Sequence, residues 1–161
     1  MSASETPLVI ASDHGGFELK RELCARLSEL GISCLDLGPS STESVDYPEY
    51  AAKVARAVAS GEYSHGVLVC GSGIGMSIAA NKIAGIRAAV VQDTEHARLA
   101  REHNNANILC LGGRFTALEL AVDMVQIWLQ SECVGDRHHR RLGKISSLEE
   151  PATTGSHGVG G

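Results

Sequence analysis

The chain has 161 residues, 43% of them hydrophobic and 20% charged, which suits one folded domain with a full core and excludes a largely disordered chain. A net charge of -5 argues against nucleic acid as a partner, and no apolar run reaches the roughly 18 residues of a membrane span. With aromatics at only 4%, the core has to be built from Val, Ile, Leu and Ala, as in sheets covered by helices on both faces.

The amino terminus, MSASETPLVIASDHGG, lacks a basic region followed by a long apolar stretch and does not read as a secretory signal. The first strand is expected over residues 8–11, followed by Asp13-His14-Gly15-Gly16. Residues 17–30 carry Phe17, Leu19, Leu23, Leu27 and Leu30 at helical spacing, and Gly31 stops them. A second strand is expected over 32–37. Pro48 suits a first helical turn, and Ala51, Val54, Ala55 and Val58 continue that helix until Gly61. A third strand over 66–69 runs into Cys70-Gly71-Ser72-Gly73-Ile74-Gly75, with a helix over 76–82 behind it. A strand over 86–91, a helix over 95–103 and a fifth strand over 108–111 follow. Thr116 and Glu119 have capping-box spacing ahead of a helix over 117–130. Residues 137–150 read as a last, highly charged helix, and 151–161 as a disordered tail rich in Gly, Thr and Ser.

This alternation implies βαβ units with right-handed crossovers: a three-layer α/β/α, Rossmann-like domain over 7–150, with a five-stranded parallel sheet and a C-terminal helix. Ligands of such sheets sit beyond the carboxyl ends of the strands. Candidate chemistry is therefore sought at Asp13-His14, at Cys70 to Gly75, at Gln92-Asp93 and at Gly113-Arg114.

Cys70 ends a strand, and three glycines within the next five positions let backbone N–H groups approach an oxyanion. A helix start at the same place favours a thiolate acting as base or nucleophile; the bland alternative is a packed thiol. The loop is neither a Walker loop nor a dinucleotide fingerprint, because Gly71, Gly73 and Gly75 give G-x-G-x-G. The G-x-S-x-G elbow is absent around Ser72. Asp13 reads as a ligand contact or as a helix cap. His103, at a helix carboxyl end, is either an electrostatically favoured cation or a proton-exchanging group. Arg137 and Arg141 are four apart and share a helical face, so their two guanidinium forks match a phosphate or simply form a solvated basic end. The five cysteines are odd in number and lack CxxC spacing, and they read as reduced thiols of a cytoplasmic protein. The seven histidines do not fall at metal-site spacings, so no metal is expected.

The string from Cys70 to Lys82, CGSGIGMSIAANK, closely resembles the central motif of type B ribose-5-phosphate isomerases, a family that includes allose- and galactose-6-phosphate isomerases. Ser12-Asp13-His14-Gly15-Gly16-Phe17, Asp46-Tyr47-Pro48, Arg101-Glu102-His103-Asn104-Asn105, Gly113-Arg114 and Arg137 to Arg141 match in order over about residues 7–150. The resemblance implies a cofactor-free aldose–ketose isomerase of the pentose phosphate pathway, acting on ribose 5-phosphate through a cis-enediolate. It makes Cys70 the proton acceptor and gives His103 the ring opening. Ser72 with Gly71, Gly73 and Gly75 would hold the enediolate, and Asp13 and Tyr47 would contact the sugar. His14, Arg114, Arg137 and Arg141 would bind phosphate, with Asn104 in the substrate-binding set. It also implies a homodimer or homotetramer whose sites are shared, His103 and the carboxyl-terminal arginines coming from the neighbour. Met76, where some relatives carry a glutamate base, leaves Cys70 as the base. A hexose-phosphate isomerase, a non-catalytic nucleotide module and a Cys–His hydrolase are the competing readings; the missing nucleotide fingerprints count against the second.

Overall fold

The computed structural model describes residues 6–149; Glu150 and the expected tail lie outside them. Five parallel strands, β1 (Leu8–Ser12), β2 (Cys34–Asp36), β3 (Gly66–Cys70), β4 (Ala88–Val90) and β5 (Ile108–Gly112), form one sheet in the order β2-β1-β3-β5-β4. All five fall within or against the expected apolar runs. The helices are α1 (Phe17–Glu29), preceded by a short 3-10 turn at His14–Gly16, α2 (Tyr47–Ala59), α3 (Ile74–Ala80), α4 (Thr94–Glu102), α5 (Leu118–Gln130) and α6 (Asp136–Ser146). The three-layer α/β/α fold is thus as the sequence implies.

Alternation along the strands splits the core in two. Leu8, Ile10, Val67, Val69, Leu109 and Leu111 face α1, α4 and α5, while Val9, Ala11, Leu68, Cys70, Ile108 and Cys110 face α2 and α3. The three central strands are buried throughout. The edge strands β2 and β4 have three residues each, which limits the unpaired backbone they present. The β4 edge is covered further by Asn81, whose Oδ1 accepts from Ala88 N–H at 2.8 Å and whose Nδ2 donates to Ala88 C=O at 2.9 Å.

Two details depart from expectation. Thr116 and Glu119 form no capping box: the residue before the first turn of α5 is Ala117, without a side-chain cap. Glu119 is drawn instead to Arg26 of α1, a charged partner brought close because α1 and α5 pack side by side. The last helix ends at Ser146 rather than running to 150, its final turn closed by the Ser147 N–H on Gly143 C=O.

At the amino ends of the strands, Trp128 is fully buried and donates to Ala106 C=O at 2.9 Å. His65 packs edge-on against its ring, with centroids 5.2 Å apart. The Arg101 guanidinium lies 2.8 Å from His65 Nε2, which makes that nitrogen an acceptor and the ring neutral. Burial, then the Arg101 charge, pushes the His65 pKa down to about 4. The unfolded chain protonates this ring near 6.5, so between the two values unfolding takes up a proton. The contribution of His65 is therefore complete above about pH 6.5 and is lost as pH falls toward 4. Thermal melts of His65→Gln are expected to decline less steeply than wild type across this window. Parallel declines would remove His65 from the acid response.

Candidate active site

The chain leaves β1 toward β2 on one side and returns to β3 on the other, so a crevice opens above the carboxyl ends of β1 and β3. Asp13 follows β1. Its Oδ1 accepts from Gly16 N–H at 2.9 Å, the capping role that the sequence left open. Its second oxygen has no hydrogen-bond partner among the described residues. Gly16 is there because nothing larger fits: an ideal Cβ would lie 2.4 Å from the carbonyl oxygen of Val69. Gly16→Ala must push the start of α1 off β3, at a cost of about 1–3 kcal/mol, and it should lower kcat/KM by moving Asp13. Urea melts at wild-type stability would contradict this packing argument.

Cys70 ends β3 with its side chain toward α2 and α3, only 5% exposed. The chain then turns through Gly73, whose φ of 81° is left-handed and whose backbone passes Leu111 so closely that a Cβ would sit 3.0 Å from its carbonyl carbon. That turn points the Gly73 N–H at Cys70 Sγ, 3.1 Å away. Ser72 Oγ accepts from the N–H of Ile74, the first residue of α3, at 3.2 Å. The N–H groups of Gly71, Ser72 and Gly75 have no partner among the described residues. The loop thus presents unpaired donors around a sulfur already held as an acceptor, the arrangement an oxyanion needs.

Cationic and aromatic groups close over it. The Arg114 guanidinium lies against Gly71, 3.3 Å from where a Cβ would be, while Gly113 N–H donates to Cys70 C=O at 2.7 Å. Arg114 has no carboxylate partner among the described residues. The Tyr47 ring, half-exposed at the start of α2, covers Gly75, where a Cβ would fall 2.6 Å from Cζ. His14 Nδ1 accepts from Val45 N–H at 3.2 Å, so the hydrogen of the neutral ring is on Nε2.

Sequence reasoning missed what holds His14. Lys20 is fully buried on α1 and donates to Asp36 Oδ1 at 2.9 Å and Pro39 C=O at 2.6 Å. Asp36 Oδ1 also accepts from Gly38 N–H. This buried cation pins the β2–α2 connection, which reaches forward to Val45 and His14. The signal was present, because Lys20 falls on the apolar stripe with Leu23 and Leu27, where an unpaired lysine is not tolerated.

His103, Asn104, Arg137 and Arg141 form a second group. The His103 and His138 rings stack with centroids 4.4 Å apart. His138 is held below the ordinary imidazole value by partial desolvation and then by His103, Arg137, Arg141 and His139, a concentration of positive charge suited to an anion. Neither Arg137 nor Arg141 pairs with a carboxylate among the described residues. Asn105, at φ 45°, ends the α4 turn, and Arg87 Nε holds the Asn104 and Asn105 carbonyls at 3.1 Å. Asn104 therefore contributes its backbone to this turn.

The two groups do not meet. In a parallel sheet every crossover helix returns the chain to the amino ends of the strands. Cys70 is at the carboxyl end of β3, whereas His103 closes α4 just before β5 begins, beside Arg87 at the start of β4. About a strand length, five residues or roughly 17 Å, separates the two levels. Among the described residues, no hydrogen bond or ion pair connects them. No three His, Cys, Asp or Glu side chains converge as a metal-ligand set among those residues either, and no helix there is long and apolar enough to cross a membrane.

Residues 8–145 match the family model described as Ribose/Galactose Isomerase. The chain is 47% identical over 143 residues to ribose-5-phosphate isomerase B of Escherichia coli strain K12, covering 89% of this chain and 96% of the relative. Among solved structures, ribose-5-phosphate isomerase B of Clostridium thermocellum superposes with a TM-score of 0.87 at 51% identity, over 89% of this chain and 97% of that one. The Mycoplasma genitalium enzyme, solved with bound ribulose 5-phosphate, gives 0.85 at 39% identity, over 89% and 95%.

Proposed function

The chain belongs to the ribose/galactose isomerase family, and from that membership we propose that it interconverts ribose 5-phosphate and ribulose 5-phosphate, with Cys70 as the base that moves the proton between carbons 1 and 2. The observation that carries the residue assignment is the Cys70 sulfur held at 3.1 Å by Gly73 N–H, at the mouth of a loop with unpaired amides. A proton taken from carbon 2 leaves a cis-enediolate whose negative oxygens need donors. The amides of Gly71 and Ser72 supply them, each well-placed donor being worth about 3–4 kcal/mol. Asp13 and Tyr47 orient the sugar hydroxyls. His14, through Nε2–H, and Arg114 lie on the same side as the loop and meet the anionic end of the substrate.

Ring opening falls to His103, and the remaining phosphate charge to Arg137 and Arg141. Their place at the opposite end of the sheet from Cys70 supports a unit in which a second copy of the chain brings its own set to each Cys70. That unit is a dimer, or a tetramer built from such dimers, with shared sites. Ile74 and Ile78 support this: they lie one turn apart on α3, beside the loop, and both are exposed, as is Phe115. The chemistry fits cytoplasmic sugar metabolism and calls on none of the standard cofactors.

A comparison of kcat/KM for ribose 5-phosphate, allose 6-phosphate and galactose 6-phosphate tests the substrate. We expect the pentose to lead by about tenfold or more, the range one additional carbon commands in a shaped pocket. A preference for either hexose would overturn the assignment while leaving the isomerase chemistry in place.

A further inference from the structure

The residues from His14 to Lys20 form one continuous element, the 3-10 turn running directly into α1. This element grips the β2–α2 connection at two points. At the near point, the buried Lys20 Nζ donates to Pro39 C=O at 2.6 Å and to Asp36 Oδ1 at 2.9 Å. Leu37 N–H donates to Ile10 C=O at 2.8 Å and Ser12 N–H to Gly38 C=O at 3.1 Å, so this part of the connection is also tied to the end of β1. At the far point, six residues beyond Pro39, Val45 N–H donates to His14 Nδ1 at 3.2 Å. Between the two grips, residues 40–44 are all exposed and make no hydrogen bond to another element among the described residues. His14 is itself exposed, so the Val45 bond, rather than packing, fixes its ring.

We propose that Lys20 is a positioning residue for the substrate phosphate: it anchors the connection whose Val45 amide holds His14 in the Nε2–H form. The inference rests on the reading of His14 as a phosphate contact. Its physical basis is chain entropy. With both ends of residues 40–44 fixed, Val45 is presented to His14 over a short closed span. Release of the near end lengthens the unanchored stretch, and every further residue that has to be ordered opposes the Val45 bond. The imidazole then turns about its side-chain bonds and exchanges between its two tautomers, only one of which carries the Nε2 hydrogen. For stability alone a buried cation is a poor choice. A well-packed apolar side chain on the α1 stripe beside Leu23 and Leu27 would serve at least as well, but it could not reach out to bind Pro39 C=O.

The test uses Lys20→Met, whose flexible, unbranched side chain fills the same space. Asp36 is half-exposed and stays hydrated without its partner, so no uncompensated charge is buried. KM for ribose 5-phosphate should rise about tenfold, the worth of one hydrogen bond to a charged group, with kcat within about twofold of wild type. In nitrogen NMR spectra of the substrate-free protein, the His14 Nδ1 resonance should leave the position of an unprotonated acceptor and move toward the average of two tautomers. His14→Ala should raise KM at least as far, and adding Lys20→Met to it should raise KM no further. Val45→Pro removes the amide donor from the other side without touching the core, and it should reproduce the KM shift even if Lys20→Met fails to fold. A loss confined to kcat, an unmoved Nδ1 resonance, effects of Lys20→Met and His14→Ala that multiply, or a wild-type KM in Val45→Pro would each overturn the proposal. Inorganic phosphate, titrated by NMR, separates the two readings. Wild-type affinity in His14→Ala would sink the phosphate role of His14 and this inference with it. Weakened affinity in His14→Ala but not in Lys20→Met would sink the inference alone.

Discussion

Cys70→Ser is expected to fold and to lose turnover by about 10²- to 10⁴-fold, the contribution of a positioned general base. The serine hydroxyl fits beneath the Gly73 N–H and keeps the turn, but it is a far weaker proton acceptor near neutral pH than a thiolate. Cys70→Ala removes the acceptor altogether and should fall at least as low, with a packing loss of about 1–2 kcal/mol that leaves the domain folded. Cys110 provides the control. It sits beside Cys70 on the next strand, facing the same layer, with Cys70 paired to Gly112 in the register. Burial, then the proximity of Cys70, pushes its thiol well above the ordinary range, so it stays protonated and cannot substitute. Cys110→Ala should lower stability and leave kcat near wild type. Steady-state kinetics on the three variants, with melting curves for each, reads all of this. Wild-type turnover in Cys70→Ser would remove Cys70 from the proton transfer.

The second large effect concerns assembly. Arg137→Ala/Arg141→Ala should cost about 2–5 kcal/mol in transition-state binding, because two charged forks leave the phosphate. On its own this variant is nearly inactive, and so is Cys70→Ala. Mixed in equal amounts and allowed to exchange, half of the dimers become hybrids. In each hybrid both lesions fall in one composite site, and the other site keeps an intact Cys70 and intact arginines. Activity should therefore recover to about a quarter of wild type at equal total protein. Failure to recover, with hybrids demonstrated by native mass spectrometry, would place base and phosphate anchor in one chain and refute the shared site.

Much of the fold was legible because its signals are local. Short runs such as Gly66 to Val69 are apolar on both faces, as strands of a doubly covered sheet must be, and Leu19, Leu23 and Leu27 repeat at helical spacing. The capping box failed because spacing alone cannot register that Arg26 of a neighbouring helix competes for Glu119. Lys20 was passed over because its partners, Asp36 and Pro39, lie on another element and meet it only after α1 packs on the sheet.

The site divides along the same line. By itself the sequence determined the chemistry available: a thiol before a glycine loop, a histidine at a helix end, and a pair of arginines one turn apart. These depend on residue type and near spacing, which the chain carries whether or not it is folded. Only the tertiary structure decided which of these groups share a space. The order β2-β1-β3-β5-β4 puts Asp13 and Cys70 side by side above the crevice. The left-handed turn at Gly73 aims an N–H at the sulfur, and Arg114 comes to rest on Gly71. The same parallel topology sends His103 to the other end of the sheet, because each helix must carry the chain back before the next strand can begin. That geometric necessity, invisible in residue spacing, is what keeps His103 and Cys70 at opposite ends of the sheet within one chain.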